Sequence, residues 1–204
     1  ANTVLLLHMN ESKATDPVID ASGYNNHGTA TGTSIVGGKF RNARSFNGSS
    51  DQIIVPYSSS LTPANAITVD CWVRFNSLRN DNYARNIIDS RNRFGTGKDY
   101  VMYSYPTVDT IFFKVGINMS YSSVGVCISA NEISAGVWYH LAATYDGTKL
   151  RMYLNHVLKD SLAVSGTLSY SNSPLYIGWN FYGDPVNVLD GQIDEVRISD
   201  KARE

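Results

Sequence analysis

Near its C-terminus the chain reads Gly191-Gln192-Ile193-Asp194-Glu195-Val196-Arg197-Ile198-Ser199. In a regular β-strand successive side chains point to opposite faces, so Asp194, Val196 and Ile198 are expected to share one face. The two aliphatic residues mark this face as the core side. An unpaired buried carboxylate is very costly. Asp194 is therefore expected either to bind a metal ion or to accept backbone N–H bonds at the entrance of the strand.

Similar alternating runs recur along the chain. The clearest is Ile67 to Phe75, whose odd-numbered positions are all apolar, and the runs 111–119 and 137–145 alternate in the same way. Asp146-Gly147 follows the last of these and is a strong hairpin signal. Shorter strands are predicted at Val4–Met9, Ala43–Phe46, Gln52–Val55, Val101–Tyr105, Gly125–Ile128, Pro174–Gly178 and Ile193–Ile198.

Many short strands without a helical period predict an all-β protein, a two-sheet antiparallel sandwich. A length of 204 residues fits one domain over residues 1–204 and can bury a substantial core. The longest predicted irregular stretch is 76–98. Long loops on a rigid scaffold often carry function, so this one is a candidate binding element.

The composition excludes two classes of partner. The net charge is -1 and charged residues make up 17%, with no basic run, so a nucleic-acid partner is not expected. No apolar stretch approaches the ~20 residues of a membrane span, so no membrane partner is expected. The two cysteines, Cys71 and Cys127, lie in apolar runs. We interpret them as buried thiols, with a single disulfide between them as the alternative.

Five segments, in order, resemble one known family. They are Leu5-Leu6-Leu7-His8-Met9-Asn10, the loop from Asp20-Ala21-Ser22-Gly23 to Thr29, Lys39 to Gly48 with its Phe46-Asn47-Gly48 end, Val137-Trp138-Tyr139-His140-Leu141-Ala142 with its hairpin, and Gly191 to Ser199. Together these segments resemble a laminin G-like domain of the concanavalin A-like lectin/glucanase superfamily. The resemblance implies a jelly-roll sandwich, and the same fold hosts enzymes, lectins, adhesion modules and virion proteins.

The resemblance also implies a structural calcium ion where the N- and C-terminal segments meet, with Asp194 as a ligand. Ca²⁺ prefers six to eight oxygen ligands, mainly carboxylates, amides and backbone carbonyls. The loop 20–28 offers Asp20 and Asn25 for this purpose. The alternative for the loop is an Asx-turn, in which Asp20 and Ser22 bond to nearby backbone N–H groups.

Glucanase-type catalysis is not expected. It needs two carboxylates about 5 Å apart on one strand face. The chain has only Glu11, Glu132, Glu195 and Glu204, none within four residues of another. No other catalytic motif occurs, so the protein is predicted not to be an enzyme.

Aromatic residues provide the candidate ligand-binding positions, with 13 Tyr, 7 Phe and 3 Trp. Tyrosine combines a flat apolar face with a hydrogen-bonding OH, which suits sugar or protein recognition. Trp72 is predicted to stand with Asp70 and Arg74 on the polar face of its strand, either as a stacking platform or packed beneath a loop with Asp70 and Arg74 paired. The other candidates lie on the next strand or in loops: Tyr83, Arg85, Tyr100, Tyr103, Trp179 and Tyr182.

The expected function is that of a non-catalytic module which binds carbohydrate or a cell-surface ligand. The alternative is a structural or protein-interaction module, as in adhesion or virion decoration, without sugar binding. In either case the domain is expected to belong to a larger protein that is extracellular, on a cell surface or in a virion.

Overall fold

In its computed structural model the chain folds into two antiparallel β-sheets, which confirms the predicted sandwich. The structure describes residues 2–78, 83–92, 98–105, 110–118, 123–180 and 187–203. In chain order the strands are β1 (Thr3–Leu7), β2 (Thr29–Thr31), β3 (Ser34–Gly37), β4 (Asn42–Asn47), β5 (Gln52–Val55), β6 (Ile67–Phe75), β7 (Arg85–Asp89), β8 (Tyr100–Tyr105), β9 (Thr110–Gly116), β10 (Ser123–Ser129), β11 (Trp138–Tyr145), β12 (Lys149–Leu154), β13 (Val157–Ala163), β14 (Leu175–Ile177) and β15 (Asp190–Ser199).

The larger sheet has the strand order β13-β12-β11-β6-β15-β4-β3, and β1 pairs with β15 as well. The long strand β15 makes this possible, because its first half pairs with β4 and its second half with β1. The smaller sheet has the order β10-β9-β8-β7-β14-β5-β2. Short 3-10 helices at Ser59–Leu61 and Ala130–Glu132 lie outside the sheets. No helix of the described residues is long and apolar enough to cross a membrane.

The inner faces of the two sheets enclose one hydrophobic core. The odd-numbered residues of β6, from Ile67 to Phe75, are all buried in it, as the alternation predicts. Cys71 is one of them and carries a free thiol, whereas Cys127 is a half-buried free thiol opposite Phe112, on the outer side of the smaller sheet. The two thiols are therefore not bridged, and only Cys71 is a fully buried one.

The prediction of one loop over 76–98 is wrong for the middle of that stretch. Strand β7 lies there, and all five of its residues are buried. Only Ile87 and Ile88 are apolar in this strand, so the alternation used to find strands is missing. The short strands β2 and β3 and the exposed edge strand β13 also escaped the sequence analysis. The hairpin at Asp146-Gly147 is confirmed, and it joins β11 to β12.

The predicted orientation of Asp194 is also wrong, because β15 contains a β-bulge. Ile193 pairs with Val73 in the core, Asp194 pairs with Trp72 on the outer face, and the register then shifts before Arg197. Glu195 has a φ of 51°, which takes up the extra residue. Val196 and Ile198 still face the core, but Asp194 does not share their side.

Candidate ligand-binding site

The sequence-predicted binding residues are divided between two opposite outer faces. Trp72 and Arg74 lie on the outer face of the larger sheet, since their neighbours Cys71 and Val73 face the core. Tyr103 lies on the outer face of the smaller sheet, because its chain neighbour Met102 faces the core. These residues therefore do not form one site.

Trp72 is half-buried, and its ring is covered by neighbouring side chains. The edge of Phe40 meets it with the ring centroids 5.9 Å apart, and the ammonium of Lys39 lies 4.4 Å from the ring centroid. His140 packs on it with the centroids 5.3 Å apart. The loop that carries Lys39 and Phe40 thus lies over Trp72, in line with the alternative prediction. This leaves little free ring face for a sugar.

Asp70 and Arg74 are not paired with one another. Asp70 accepts a 2.9 Å hydrogen bond from Nε of Arg197, and Nε2 of His140 lies 3.5 Å from its other oxygen. Arg74 donates instead to the carbonyl of Gly136 at 2.8 Å and to the side chain of Gln192. That part of the alternative prediction is wrong, since Arg197 on the neighbouring strand is opposite Asp70 in the register.

On the smaller sheet Tyr103 stacks with Phe112, which is directly opposite on β9. The ring centroids are 5.3 Å apart and the planes differ by 22°. The ammonium of Lys114 lies 5.6 Å from the Tyr103 centroid and 5.5 Å from that of Phe112. Gly125 is opposite Lys114 on the neighbouring strand and leaves room for the aliphatic part of the lysine side chain. A Cβ at position 125 would lie only 2.6 Å from Cγ of Lys114.

A second cation reaches the same ring from the end of β7. Nε and Nη2 of Arg91 each donate a 2.9 Å hydrogen bond to the carboxylate of Asp89, and the guanidinium carbon is 6.0 Å from the Tyr103 centroid. Asp89 has no exposed surface and also accepts from Nδ2 of Asn86 at 3.1 Å. Such bidentate pairs fix the orientation of the guanidinium. We call Tyr103, Phe112, Lys114 and Arg91 the aromatic–cation platform.

Three of the platform residues were missed by the sequence analysis. Arg91 falls in the stretch that was predicted to be a loop, and Phe112 and Lys114 lie on a predicted strand whose outer face was not considered. The spacing Asp89-x-Arg91 is too short a signal to identify such a pair. Register is what brings the platform together, and a single sequence does not reveal register.

The remaining predicted binding residues have different places. Tyr100 is three residues before Tyr103, so the two side chains lie on opposite faces of β8. Tyr100 therefore points into the core and is 2% exposed. Arg85 is buried and donates to the carbonyls of Tyr83 and Ala84. Tyr83 is 46% exposed and Trp179 is half-buried. Tyr182 lies outside the described residues.

Asp20, a predicted calcium ligand, has both carboxylate oxygens occupied by donors of the protein. Oδ1 accepts from the backbone N–H groups of Leu6 and Ser22, and Oδ2 accepts from the Ser22 hydroxyl and the Asn26 N–H, at 2.8–2.9 Å. Burial opposes its ionisation, but these bonds outweigh burial, so the pKa of Asp20 lies below its ordinary value. This is the Asx-turn alternative. A metal ion here would have to displace some of these donors.

Asp194 is fully buried, and its two oxygens differ. Oδ2 accepts a 2.8 Å hydrogen bond from the N–H of Phe40, whereas Oδ1 has no hydrogen-bond partner among the residues that the structure describes. Burial raises the pKa of Asp194 to about 6. An unpaired buried carboxylate oxygen fits the chemistry of a Ca²⁺ ligand. Asn25, the third predicted ligand, is an exposed turn residue with a φ of 59°.

A group of three or more His, Cys, Asp or Glu side chains placed to hold a metal ion does not occur within the described part of the chain. Besides carboxylates, calcium also takes backbone and amide oxygens as ligands, which such a group does not include. The calcium site therefore stays a prediction, and Oδ1 of Asp194 is the atom on which it rests.

The two antiparallel sheets are those of a jelly-roll sandwich domain. The family model for laminin G domains of the concanavalin A-like lectin/glucanases superfamily matches residues 47–204. The chain belongs to this superfamily. A comparison with curated proteins finds no match.

Several solved structures have the same fold. Domain 4 of AbnA, a GH43 extracellular arabinanase from Geobacillus stearothermophilus, in complex with arabinotriose, has a TM-score of 0.74 at 21% identity, with 100% of this chain and 95% of that one covered. The binding domain of Paraclostridial Mosquitocidal Protein 1 has a TM-score of 0.79 at 18% identity, and the botulinum neurotoxin serotype D binding domain 0.77 at 17%. This chain is covered completely in both and spans 50% and 49% of their lengths. At these identities the likeness concerns the fold alone.

Proposed function

We propose that this protein is a non-catalytic binding module which recognises carbohydrate through the aromatic–cation platform. The observation that carries the proposal is the Asp89–Arg91 pair, which holds a guanidinium beside the ring of Tyr103. A sugar ring presents apolar C–H groups on its face and hydroxyl groups on its edge. The stacked rings of Tyr103 and Phe112 are half-buried and offer apolar surface, while Arg91 and Lys114 offer N–H donors to the hydroxyl groups.

The carboxylate of the platform is unsuited to catalysis. Asp89 is fully buried, and its two oxygens bind Arg91 and Asn86. A retaining glucanase needs one carboxylate as nucleophile and a second one as acid and base. Among the described residues, the rings of Tyr103 and Phe112 contact one another and the side chains of Arg91 and Lys114, which supports a binding role.

The proposal is tested on a glycan array, followed by calorimetric titration of the best-binding sugar. Tyr103→Ala is expected to weaken binding about tenfold, because an aromatic contact of this kind contributes about 1 kcal/mol or more. Lys114→Gln is expected to weaken it less. These two variants are preferable to a change at Arg91, which would remove the guanidinium that binds the buried carboxylate of Asp89 and so endanger folding.

Tyr57→Ala is the matched control, because Tyr57 is 43% exposed and lies outside the platform. It is expected to bind as the unchanged protein does. If Tyr103→Ala and Tyr57→Ala bind the sugar equally well, or if the array gives no sugar at all, the proposed function is wrong.

The structural calcium is a second proposal, and it rests on Asp194. This residue ties β15 to the loop of Phe40, so an ion at its free oxygen would strengthen the same junction. The ion would supply positive charge to a buried carboxylate and no reaction chemistry. Asp20 and Asn25 would join such a site only if their own loop rearranged.

A protein-interaction role is the alternative function, and the edge strand β13 favours it. Val157, Leu158 and Leu162 on this strand are 57%, 49% and 38% exposed. Exposed apolar edge strands are ready templates for pairing with another chain. Concentration-dependent oligomers that disappear in Leu158→Lys, together with an empty glycan array, would support this role over sugar binding.

For the setting of the protein we propose a larger extracellular, cell-surface or virion protein. The extracellular arabinanase domain and the toxin binding domains named above support this proposal at the level of the fold.

A further inference from the structure

Two edge strands lie next to each other along one side of the sandwich. Within the described part of the chain, β13 is the last strand of the larger sheet and β10 is the last strand of the smaller one. The two strands pack against one another. The outward N–H and C=O groups of an edge strand are a template on which another chain can pair. We call the side of the molecule formed by β10 and β13 the open side.

The side chains of β13 would favour such pairing. Val157, Leu158 and Leu162 on this strand are large, apolar and exposed. An exposed apolar edge strand is a site at which copies of one chain associate. From these side chains alone, the open side would therefore be expected to bring two molecules together.

Asp160 interrupts the apolar character of β13 and points inward. It pairs with Met152 of β12, whose side chain lies in the core, so the carboxylate is directed toward the smaller sheet. Its Oδ2 accepts a 2.9 Å hydrogen bond from the N–H of Cys127 on β10. An N–H that reaches a side chain of the other sheet is directed away from β9. It is therefore one of the groups that an added strand would bind.

The other oxygen of Asp160 binds an N–H of β13 itself. Oδ1 accepts a 2.7 Å hydrogen bond from the N–H of Ser161. Val164 donates its N–H to the carbonyl of Thr148, on the side of β12. Because N–H directions alternate along a strand, that of Ser161 points to the open side. One carboxylate thus occupies an outward N–H group on each of the two edge strands.

A β-bulge and an ion pair protect the same strand. The pairing of β13 with β12 skips Lys159, which makes Lys159 the extra residue of the bulge. Its ammonium binds the carboxylate of Glu132, in the short helix that follows β10. Bulges, edge lysines and inward-pointing charges are features by which proteins keep edge strands from pairing. All three occur within two consecutive residues of β13.

We propose that Asp160 is an edge guard, which keeps a second copy of this chain from adding to β13. A second copy fits this strand because an antiparallel pair brings the start of one copy against the end of the other. Val157 and Leu158 would then meet Leu162 of the copy, and the two-fold arrangement would make this contact twice. Removal of the carboxylate frees one N–H group of β13 and one of β10.

The edge guard goes beyond the carbohydrate function proposed above and does not depend on it. It also differs from the alternative function, in which the unchanged protein would associate through β13. With the guard in place, the unchanged protein is expected to be a monomer.

Sedimentation equilibrium over a range of protein concentrations tests the proposal. Asp160→Ala is expected to form dimers at concentrations about tenfold or more below those at which the unchanged protein does, because each copy gains donors for main-chain bonds. Asp160→Asn keeps one acceptor oxygen and is expected to fall between the two. This milder variant keeps the test decisive if the alanine variant folds poorly.

Asp200→Ala is the matched control, because Asp200 is an exposed aspartate outside β10 and β13, and its loss changes the net charge by the same amount. It should remain a monomer. The double variant Asp160→Ala/Leu158→Lys should be a monomer as well, since a charge on the edge opposes pairing. This result would show that association occurs through β13 and not through unfolding.

Amide hydrogen exchange measures the two hydrogen bonds directly. In dilute Asp160→Ala, the N–H groups of Cys127 and Ser161 should exchange faster than in the unchanged protein, whereas that of Val164 should keep its rate.

The edge guard is overturned if neither variant at Asp160 dimerises more readily than the unchanged protein, if Asp200→Ala associates as much as Asp160→Ala does, or if the double variant still forms dimers. Unaltered exchange at both Cys127 and Ser161 would also overturn it. An unchanged protein that is already an oligomer, and that Leu158→Lys dissociates, would overturn it in favour of the alternative function.

Discussion

Asp194 joins two parts of the chain that are 154 residues apart. Its Oδ2 accepts the N–H of Phe40 at 2.8 Å, and Gly38 lies so near that a Cβ would be 2.7 Å from the same oxygen. The side chain thus holds the loop that covers Trp72. The same burial raises its pKa to about 6, so at neutral pH the folded protein contains an ionised carboxylate in an unfavourable place.

Asp194→Asn is expected to remove a pH dependence of stability. Because the carboxyl has a higher pKa in the folded than in the unfolded state, the folded protein binds the proton more tightly. Without metal, its free energy of unfolding should therefore rise as pH falls from above about 6 to about 4, by on the order of 2 kcal/mol. Urea unfolding in chelator at about pH 5 and about pH 8 measures this slope. An equal slope in the variant would contradict the assignment to Asp194.

At the scale of the elements, the bulge in β15 determines which side chains meet. The shift at Glu195 lets Val196 and Ile198 return to the core after Asp194 has faced outward. Without the extra residue, Arg197 would not lie opposite Asp70. The ion pair between Arg197 and Asp70 therefore depends on one residue with a φ of 51°.

A close contact between β14 and β4 leads to a prediction about Gly178. This residue has a φ of +74°, and a Cβ would lie 2.2 Å from Cδ1 of the buried Phe46. Gly178→Ala is expected to lower the free energy of unfolding by about 2 kcal/mol or more, through backbone strain and overpacking together. Urea unfolding provides the measurement.

Gly37→Ala is the control for that measurement, since a Cβ there meets nothing within 4 Å. Its effect should stay within about 0.5 kcal/mol. An equal decrease in the free energy of unfolding in the two variants would mean that the packing between Gly178 and Phe46 is not as described.

At the scale of the whole molecule, a structural calcium would be seen in thermal stability. A ligand that binds only the folded state raises the free energy of unfolding by about 2.7 kcal/mol at a hundred times its dissociation constant. The melting temperature is therefore expected to fall when chelator replaces calcium. Asp194→Asn should abolish this difference. Identical melting with calcium and with chelator, together with a metal-free elemental analysis, would rule the proposal out.

The sequence by itself determined the class of fold. Alternation in β6, β11 and β15 and the hairpin at Asp146-Gly147 are local signals, since strand periodicity and turn chemistry act over a few residues. Of these, β11 with its hairpin and β15 also carried part of the resemblance to laminin G-like domains, which the family match confirms. The scarcity of glutamate also argued against a glucanase at this stage.

Only the tertiary structure decided which residues form a site. The bulge at Glu195 reversed the face of Asp194, and the odd spacing between Tyr100 and Tyr103 placed them on opposite sides of the sheet. Arg91 reaches Tyr103 because β7 and β8 pair in one register. Register depends on contacts between distant parts of the chain, and a slip of one residue exchanges the two faces of a strand. For this reason strands were found from the sequence, but the platform was not.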